Sequence, residues 1–295
     1  MRGEHSTGSH AFFIRPPAKE ENPAARVTPM AKQTKPPLIS APKTLVHYTS
    51  IGVLNALIYG AIKSGQPYFT FHLSLLTEMN DKDEGVLLKE AFFDTKCNSC
   101  YENIWQQCEN SQRPFVLSTI RSSNEDRISG SLPMWKMYGN DCAGVMIKFD
   151  FGRLQDFCRQ NGLILRPCHY CTSAGITTVA RNITNALRHG ADPQETIEDL
   201  FIQNSLTKRA WWSYENEWRI IAPTPASKAL QKLTGKGIKQ FVELPIPIDC
   251  ITAIFFGPKA TAVNKQVINC VCQLFHQIKG YKYPIAISKS TIQIR

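Results

Sequence analysis

The chain has 295 residues, 43% of them hydrophobic and 10% aromatic, which provides the core of one large domain or two small ones. No run approaches the roughly 20 apolar residues that span a bilayer, and Ala11–Ile14 is too short for a signal peptide. We therefore expect a cytoplasmic protein without membrane contact. The formal net charge of +10 favours RNA or DNA as a partner, although many basic proteins bind neither.

Ten cysteines in a cytoplasmic chain are most simply free thiols. Three close pairs invite comparison with zinc sites: Cys97-x-x-Cys100, Cys168-His169-Tyr170-Cys171 and Cys270-x-Cys272. The first two pairs would supply four soft ligands, but they are far apart in sequence and lack the glycine-rich turns of zinc ribbons. We predict no metal site.

Residues 1–43 differ in composition from the rest of the chain. They hold seven of the 18 prolines, several lysines and arginines, and little periodic hydrophobicity. Such a composition predicts a flexible leader or partner-binding arm. We expect one folded domain over residues 44–295.

Hydrophobic periodicity predicts strands and helices that are interspersed without a regular βαβ alternation, which favours the α+β class. In chain order they are a strand at Leu45–Thr49, a helix capped by Ser50, a strand within 60–71, a helix at Val86–Phe93, strands at Pro114–Ile120 and Gly144–Phe149, a helix at Phe151–Gln160, a strand at Leu163–Tyr170, helices at Ile176–Arg188 and Pro193–Arg209, strands at Phe241–Leu244 and Ile251–Phe256, a helix at Ala262–Ile278, and a strand at Ile285–Ile294.

The segment Trp211–Ile221 is the most distinctive stretch of the chain. If it is an extended strand, Glu215, Glu217 and Arg219 share one face, because side chains alternate along a strand. The opposite face then carries three residues toward a core: Tyr214, Trp218 and Ile220. Acids and an arginine under aromatic cover are costly to bury, which indicates perturbed carboxylates with a catalytic role. The alternative is a half-exposed strand with an ordinary Glu–Arg pair.

Three other polar positions have both a structural and a functional interpretation. His47 lies in the first strand, where a lone histidine is usually a hydrogen-bonded core residue. The loop Asn80–Glu84 offers oxygen ligands to a cation, but Lys82 within it favours a capped, solvated turn. Trp135 and Tyr138 lie on one face of a helix, as simple core packing would also require.

Taken in order, these motifs resemble a widespread bacterial family of unknown function. The matching segments are His47-Tyr48-Thr49-Ser50, Asn80-Asp81-Lys82-Asp83-Glu84, Met134-Trp135-Lys136-Met137-Tyr138-Gly139, Phe149-Asp150 and Trp212 through Arg219. The resemblance spans about residues 45–290. Lys82-Asp83 departs from the Pro-aromatic pair that is commoner in the second motif.

Such sequences resemble distant members of the ADP-ribosyltransferase fold, which implies one domain with a split, mixed or antiparallel β core and flanking helices. The resemblance implies NAD as co-substrate and a His–Tyr–Glu type triad around it. His47 would anchor a ribose, assisted by its neighbours Tyr48, Thr49 and Ser50. Tyr138 or Trp135 would stack on nicotinamide. Glu217 would be the catalytic acid, with Glu215 as the alternate, and Arg219 would hold Glu217 or bind a pyrophosphate oxygen.

The resemblance implies transfer of ADP-ribose from NAD to RNA, DNA or protein, as a bacterial toxin or phage-defence effector with a cognate antitoxin. Two alternatives remain open. One is a non-catalytic domain that binds nucleic acid or a partner on the same fold. The other is an NAD glycohydrolase, which uses water as the acceptor.

Overall fold

The computed structural model describes residues 41–79, 81–122, 130–235, 237–263, 265–281 and 284–293, all of which belong to one unit of the chain, Ala41–Arg295. The predicted leader lies almost entirely outside these residues, so its role stays a prediction. Eight helices are described: α1 Ile51–Ser64, α2 Leu87–Phe93, α3 Glu102–Ser111, α4 Leu132–Tyr138, α5 Phe151–Gln160, α6 Ser173–Arg188, α7 Pro193–Leu206 and α8 Lys265–His276.

Twelve strands are described: β1 Thr44–Thr49, β2 Tyr68–Leu75, β3 Arg113–Arg121, β4 Val145–Asp150, β5 Ile164–Pro167, β6 His169–Cys171, β7 Thr207–Arg209, β8 Glu217–Thr224, β9 Leu230–Thr234, β10 Gly237–Pro247, β11 Ile251–Phe256 and β12 Ala286–Lys289. Ten of them form one mixed sheet, in which β12 runs parallel to β11 and the other pairs are antiparallel. The predicted α+β class is confirmed.

The sheet divides at β3. One edge of β3 pairs along its whole length with β8. On the other edge, β2 pairs with the first half of β3, at Val116 and Phe115, whereas β1 pairs with its end, at Ile120 and Arg121. The branch through β1 continues to β4, β11 and β12, and the branch through β2 continues to β10 and β9. The edge of β3 between the two pairings is therefore left open.

Helices cover both faces of the sheet. The larger core lies under α1, α5 and α8, and Trp218 and Ile220 of β8 point into it. A second core forms among α2, α3, α6 and α7, around Trp105 and Phe92. The face of β8 toward these helices carries Glu217 and Arg219, as the alternation of a strand requires.

Two predicted elements are wrong in ways that affect the site. The helix predicted to reach Arg209 ends at Leu206, and residues 207–209 form β7, which pairs with β6. The distinctive segment does not begin as a strand, because Ala210–Glu215 is a 3₁₀ turn and β8 begins only at Glu217. Tyr214 consequently lies on the surface, 48% exposed, instead of facing a core.

Ser50 caps α1 as predicted. Its Oγ accepts a hydrogen bond from the backbone N–H of Val53 at 3.2 Å, which satisfies one of the unpaired donors at the helix start. The predicted strands at residues 45–49, 114–120, 144–149 and 251–256 each match a strand of the sheet within a few residues. These elements bring His47 to the open edge of β3.

Candidate active site

A cavity of about 430 Å³ opens where β1 and β2 separate from each other along β3. This volume is within the range of small-molecule sites. Its lining combines strand residues of β1, β2 and β3 with the aromatic and charged side chains of the distinctive segment. The polar and aromatic residues among them are His47, Tyr48, His72, Ser74, Asp81, Glu84, Ser118, Tyr138, Lys208, Trp212, Glu215 and Glu217.

Lys208 is the centre of a buried charge cluster at one wall of the cavity. Its Nζ lies 3.0 Å from Oε1 of Glu84, 2.5 Å from Oε2 of Glu215 and 2.8 Å from Oε2 of Glu217. All four side chains are at most 5% exposed. One ammonium group therefore holds three carboxylates, two from the segment that follows Lys208 and one, Glu84, from a distant part of the chain.

Arg219 supports this cluster from behind. Its Nε donates to Oε1 of Glu217 at 2.9 Å, its Nη2 donates to Oε1 of Glu84 at 2.9 Å, and its Nη1 donates to the carbonyl of Ser205 at 2.7 Å. The side chain is completely buried and is not part of the cavity wall. Arg219 thus holds Glu217, and the alternative role, binding a pyrophosphate oxygen, does not fit its position.

A turn, rather than an extended strand, brings the carboxylates of Glu215 and Glu217 close together. Asn216 between them has the left-handed conformation, with φ of 46° and ψ of 44°. The turn lets both carboxylates reach Lys208 and leaves Oε1 of Glu215 to accept a hydrogen bond from the hydroxyl of Tyr138 at 2.5 Å. The two acids are therefore close, as predicted, but by a different backbone geometry.

Glu84 is placed by the start of α2, which has no side-chain cap from its own sequence. Asn204 on α7 supplies one instead. Its Oδ1 accepts from the backbone N–H of Leu88 at 3.0 Å, and its Nδ2 donates to the carbonyl of Gly85. Because Lys208 follows α7 by two residues, the same contact brings Glu84 to Lys208. The predicted solvated turn is wrong for Glu84, while Asn80 lies outside the described residues.

Two carboxylates of the cluster, Glu217 and Glu84, differ in their acidity. Burial alone would raise the pKa of Glu217, but the charges of Arg219 and Lys208 outweigh it and hold this pKa at about 2. Burial raises the pKa of Glu84 above its ordinary value, and the same two cations only partly offset this. Glu217 is therefore a permanent anion at neutral pH, suited to stabilising positive charge and too weak a base to accept a proton.

His47 bridges the open edge of β3. Its Nδ1 lies 2.9 Å from the carbonyl oxygen of Ser118, so Nδ1 carries the proton and Nε2 is the acceptor. Burial lowers the pKa of His47, which keeps the imidazole neutral at physiological pH. The ring contacts Phe71 edge-on and forms part of the cavity wall.

The structure brings some of the predicted site residues together and separates others. Glu217, Glu215, His47, Tyr48 and Tyr138 line one cavity. Three do not line it, so their predicted roles stay predictions: Thr49 is the last residue of β1, Ser50 is the cap of α1, and Trp135 is completely buried and contacts the ring of Tyr48 edge-on.

Sequence reasoning missed several residues of the cavity. The sequence pattern places Lys208 in a helix, and nothing in its neighbourhood distinguishes it from a surface lysine. Trp212 lies within the distinctive segment, and its ring is 5.4 Å from Nζ of Lys208. His72 and Ser74 lie two residues apart on one face of β2. They could be predicted as cavity residues only by predicting that β2 and β1 border the same opening.

No group of three or more His, Cys, Asp or Glu side chains in the described residues is arranged to hold a metal ion. The acids of the cluster are engaged by Lys208 and Arg219 instead. The described helices also include none long and apolar enough to cross a membrane.

Comparison with protein families shows a similarity over part of the chain. A family model matches residues 134–220, a segment that contains Tyr138, Lys208, Glu215 and Glu217. No curated protein and no solved structure matches the chain. Over residues 134–220, which hold most of the charge cluster, the chain is similar to the family described as a protein of unknown function, DUF2971.

Proposed function

We propose that the protein transfers ADP-ribose from NAD to a macromolecular acceptor. The observation that carries the proposal is the position of Glu217: a carboxylate fixed as an anion in the wall of a cavity that also contains the neutral imidazole of His47. An ADP-ribosyltransferase-type fold is part of this proposal. What supports it is the divergence of β1 and β2 along β3.

The chemistry requires a fixed negative charge. Cleavage of the bond between nicotinamide and ribose passes through a state in which positive charge develops on the sugar. Glu217 is held by Arg219 and Lys208, so it need not reorganise as that charge appears. Because each of its oxygens is already bound, it acts by electrostatic attraction or by accepting one further hydrogen bond from a ribose hydroxyl.

The other residues have distinct roles in the proposal. His47 accepts a hydrogen bond at Nε2 from a ribose hydroxyl. Tyr138, 36% exposed at the cavity, is the aromatic residue beside nicotinamide, in preference to the buried Trp135. Glu215 is the alternate acid, and its link to Tyr138 fixes that ring.

The acceptor and the biological setting belong to the same proposal. The net charge of +10 supports RNA or DNA as the acceptor, with protein side chains as the second class. A bacterial toxin or phage-defence effector, acting in the cytoplasm and neutralised by an antitoxin, is the setting in which such an activity fits.

The test is transfer of label from NAD radiolabelled in its adenylate phosphate to a cell lysate, followed by nuclease or protease digestion of the product. We expect macromolecular label that E217Q reduces at least 100-fold, since one electrostatic donor or acceptor in such sites contributes about 10²–10³ in rate. E195Q is the matched control, because Glu195 is exposed on α7 and is not a lining residue of the cavity.

The digestion distinguishes the acceptors. Label lost on nuclease treatment identifies nucleic acid, and label lost on protease treatment identifies protein. NAD cleaved without macromolecular label would replace the transferase by the glycohydrolase. If neither NAD is consumed nor label transferred by the unmodified protein, the proposal is wrong.

A further inference from the structure

The cavity carries negative charge although the protein as a whole is strongly positive. Four carboxylates line it, from Asp81, Glu84, Glu215 and Glu217, against the one ammonium group of Lys208. Arg219 behind the wall adds a second cation, which still leaves the carboxylates in excess. The net charge of +10 therefore does not extend into the cavity.

The two histidines of the cavity, His47 and His72, do not add positive charge that would offset the carboxylates. Burial lowers the pKa of His47, and burial followed by the charge of Lys232 lowers the pKa of His72. Both imidazoles are neutral at physiological pH. A ligand that enters the cavity meets uncompensated negative charge in a partly desolvated environment, where electrostatic attraction is stronger than in water.

A second observation is independent of the charge count. Glu84 is only 5% exposed, and its Oε2 has no hydrogen-bond partner in the described part of the structure. Ser118, which also lines the cavity, has an unpartnered Oγ. Buried polar atoms are normally hydrogen-bonded, and an exception indicates a missing partner. Both exceptions here belong to residues of the same cavity.

Aromatic rings complete the environment. Trp212 and Tyr138 line the cavity next to the charge cluster, and the indole of Trp212 already lies 5.4 Å from the ammonium group of Lys208. The faces of such rings attract cations, most strongly where water is excluded. Excess carboxylate and aromatic surface together favour a flat organic cation over a neutral or anionic ligand.

We propose that the cavity is a binding site selective for a positively charged aromatic ring, such as a pyridinium, over its neutral counterpart. The identification of that ring as the nicotinamide of NAD rests on the proposed function. NAD would then bind with its cationic nicotinamide end in the cavity and its anionic pyrophosphate outside, because the carboxylates repel it.

This selectivity also has a consequence for the reaction. When the C–N glycosidic bond breaks, its electron pair stays on the ring nitrogen, so nicotinamide becomes neutral and the positive charge passes to the ribosyl carbon. The carboxylates near Glu217 then attract the ribosyl cation and no longer attract the ring. Nicotinamide is bound more weakly as product than as part of the substrate.

The test compares two ligands that differ mainly in charge: 1-methylnicotinamide, a permanent cation, and nicotinamide, which is neutral. Their affinities for the full chain are measured by titration calorimetry. We expect the cation to bind at least 10-fold more tightly. E84Q is expected to reduce that ratio several-fold, and D81N, at the less buried Asp81, to reduce it less.

Equal affinities, no binding of the cation, or a ratio that neither variant changes would overturn the inference. D81N keeps the test decisive if E84Q does not fold. The outcome is separable from the transferase assay. Preference for the cation without cleavage of NAD would support the binding site and contradict the proposed reaction. Transferase activity with equal affinities for the two compounds would support the reaction and contradict the binding site.

Discussion

Lys208 connects the chemistry of the cavity with the stability of the protein. Its ammonium group is the shared partner of Glu84, Glu215 and Glu217, and burial would lower its pKa if the charges of Glu217 and Glu84 did not raise it above the ordinary value. Buried ion pairs add little stability compared with apolar packing, but removal of one partner leaves a charge desolvated and unpaired. The cluster is therefore a positioning device that is costly to disrupt.

At the residue scale we predict that K208M strongly destabilises the protein. Glu84 and Glu217 would be left with Arg219 alone and Glu215 with the hydroxyl of Tyr138, and loss of a partner from a buried ion pair costs about 3–5 kcal/mol in the free energy of unfolding. The measurement is urea unfolding at pH 7, monitored by tryptophan fluorescence.

K89M is the matched control for this variant. Lys89 pairs with a single carboxylate, Glu109, at 2.6 Å, and both side chains are about one-third exposed. Such a pair contributes about 0–1 kcal/mol. If K208M and K89M had similar effects, the three carboxylates would not depend on Lys208.

At the scale of elements, the site depends on Asn216, an irregular residue between two regular segments. Asn216 separates the 3₁₀ turn Ala210–Glu215 from β8. Its N–H donates to the carbonyl of Ser213, and its own carbonyl accepts from the N–H of Arg121 at the end of β3. The left-handed residue thus aims Glu215 at Lys208 while Glu217 enters the strand.

We predict that N216A lowers stability by about 1 kcal/mol and that N216G does not, because a Cβ disfavours the left-handed conformation by roughly 1–2 kcal/mol and Asn tolerates it better than Ala. N216A should also reduce NAD consumption more than N216G, since a shift of this turn changes the distance between Glu215 and Glu217. Thermal unfolding and NAD turnover of the two variants provide the measurement. Equal behaviour of Ala and Gly would mean that the turn does not fix the site.

At the scale of the whole molecule, local patterns account for the strands and most helices but only for part of the site. Alternation along β8 correctly places Glu217 and Arg219 on one face and Trp218 on the other. The role of Glu84 could not be predicted, because its position depends on a cap from Asn204, which is more than 100 residues away in the chain. Local periodicity carries no information about such a contact.

The same limit explains Lys208 and the cavity itself. Residues 207–209 form a strand that pairs with β6, whereas the helical pattern before them predicts a helix that continues to Arg209. The opening exists because β1 and β2 pair with different parts of β3. The sequence resemblance predicts that His47 and Glu217 belong to one site. Which other residues line the cavity between them depends on strand register, which a single sequence does not reveal.

The last prediction concerns the separation of charge between the surface and the cavity. A basic protein whose cavity is acidic should attract a nucleic acid by its surface and bind the cationic end of NAD inside. If the proposed acceptor is nucleic acid, labelling of single-stranded RNA or DNA should fall by about 10-fold or more between 50 and 200 mM salt, as counterion release requires when several phosphates are bound. Cleavage of NAD without acceptor should change little over the same range, because buried charges are screened weakly.

Both rates are measured on one preparation with adenylate-labelled NAD. Parallel loss of the two rates would show that salt acts on the cavity or on folding, and salt-independent labelling would favour a protein acceptor.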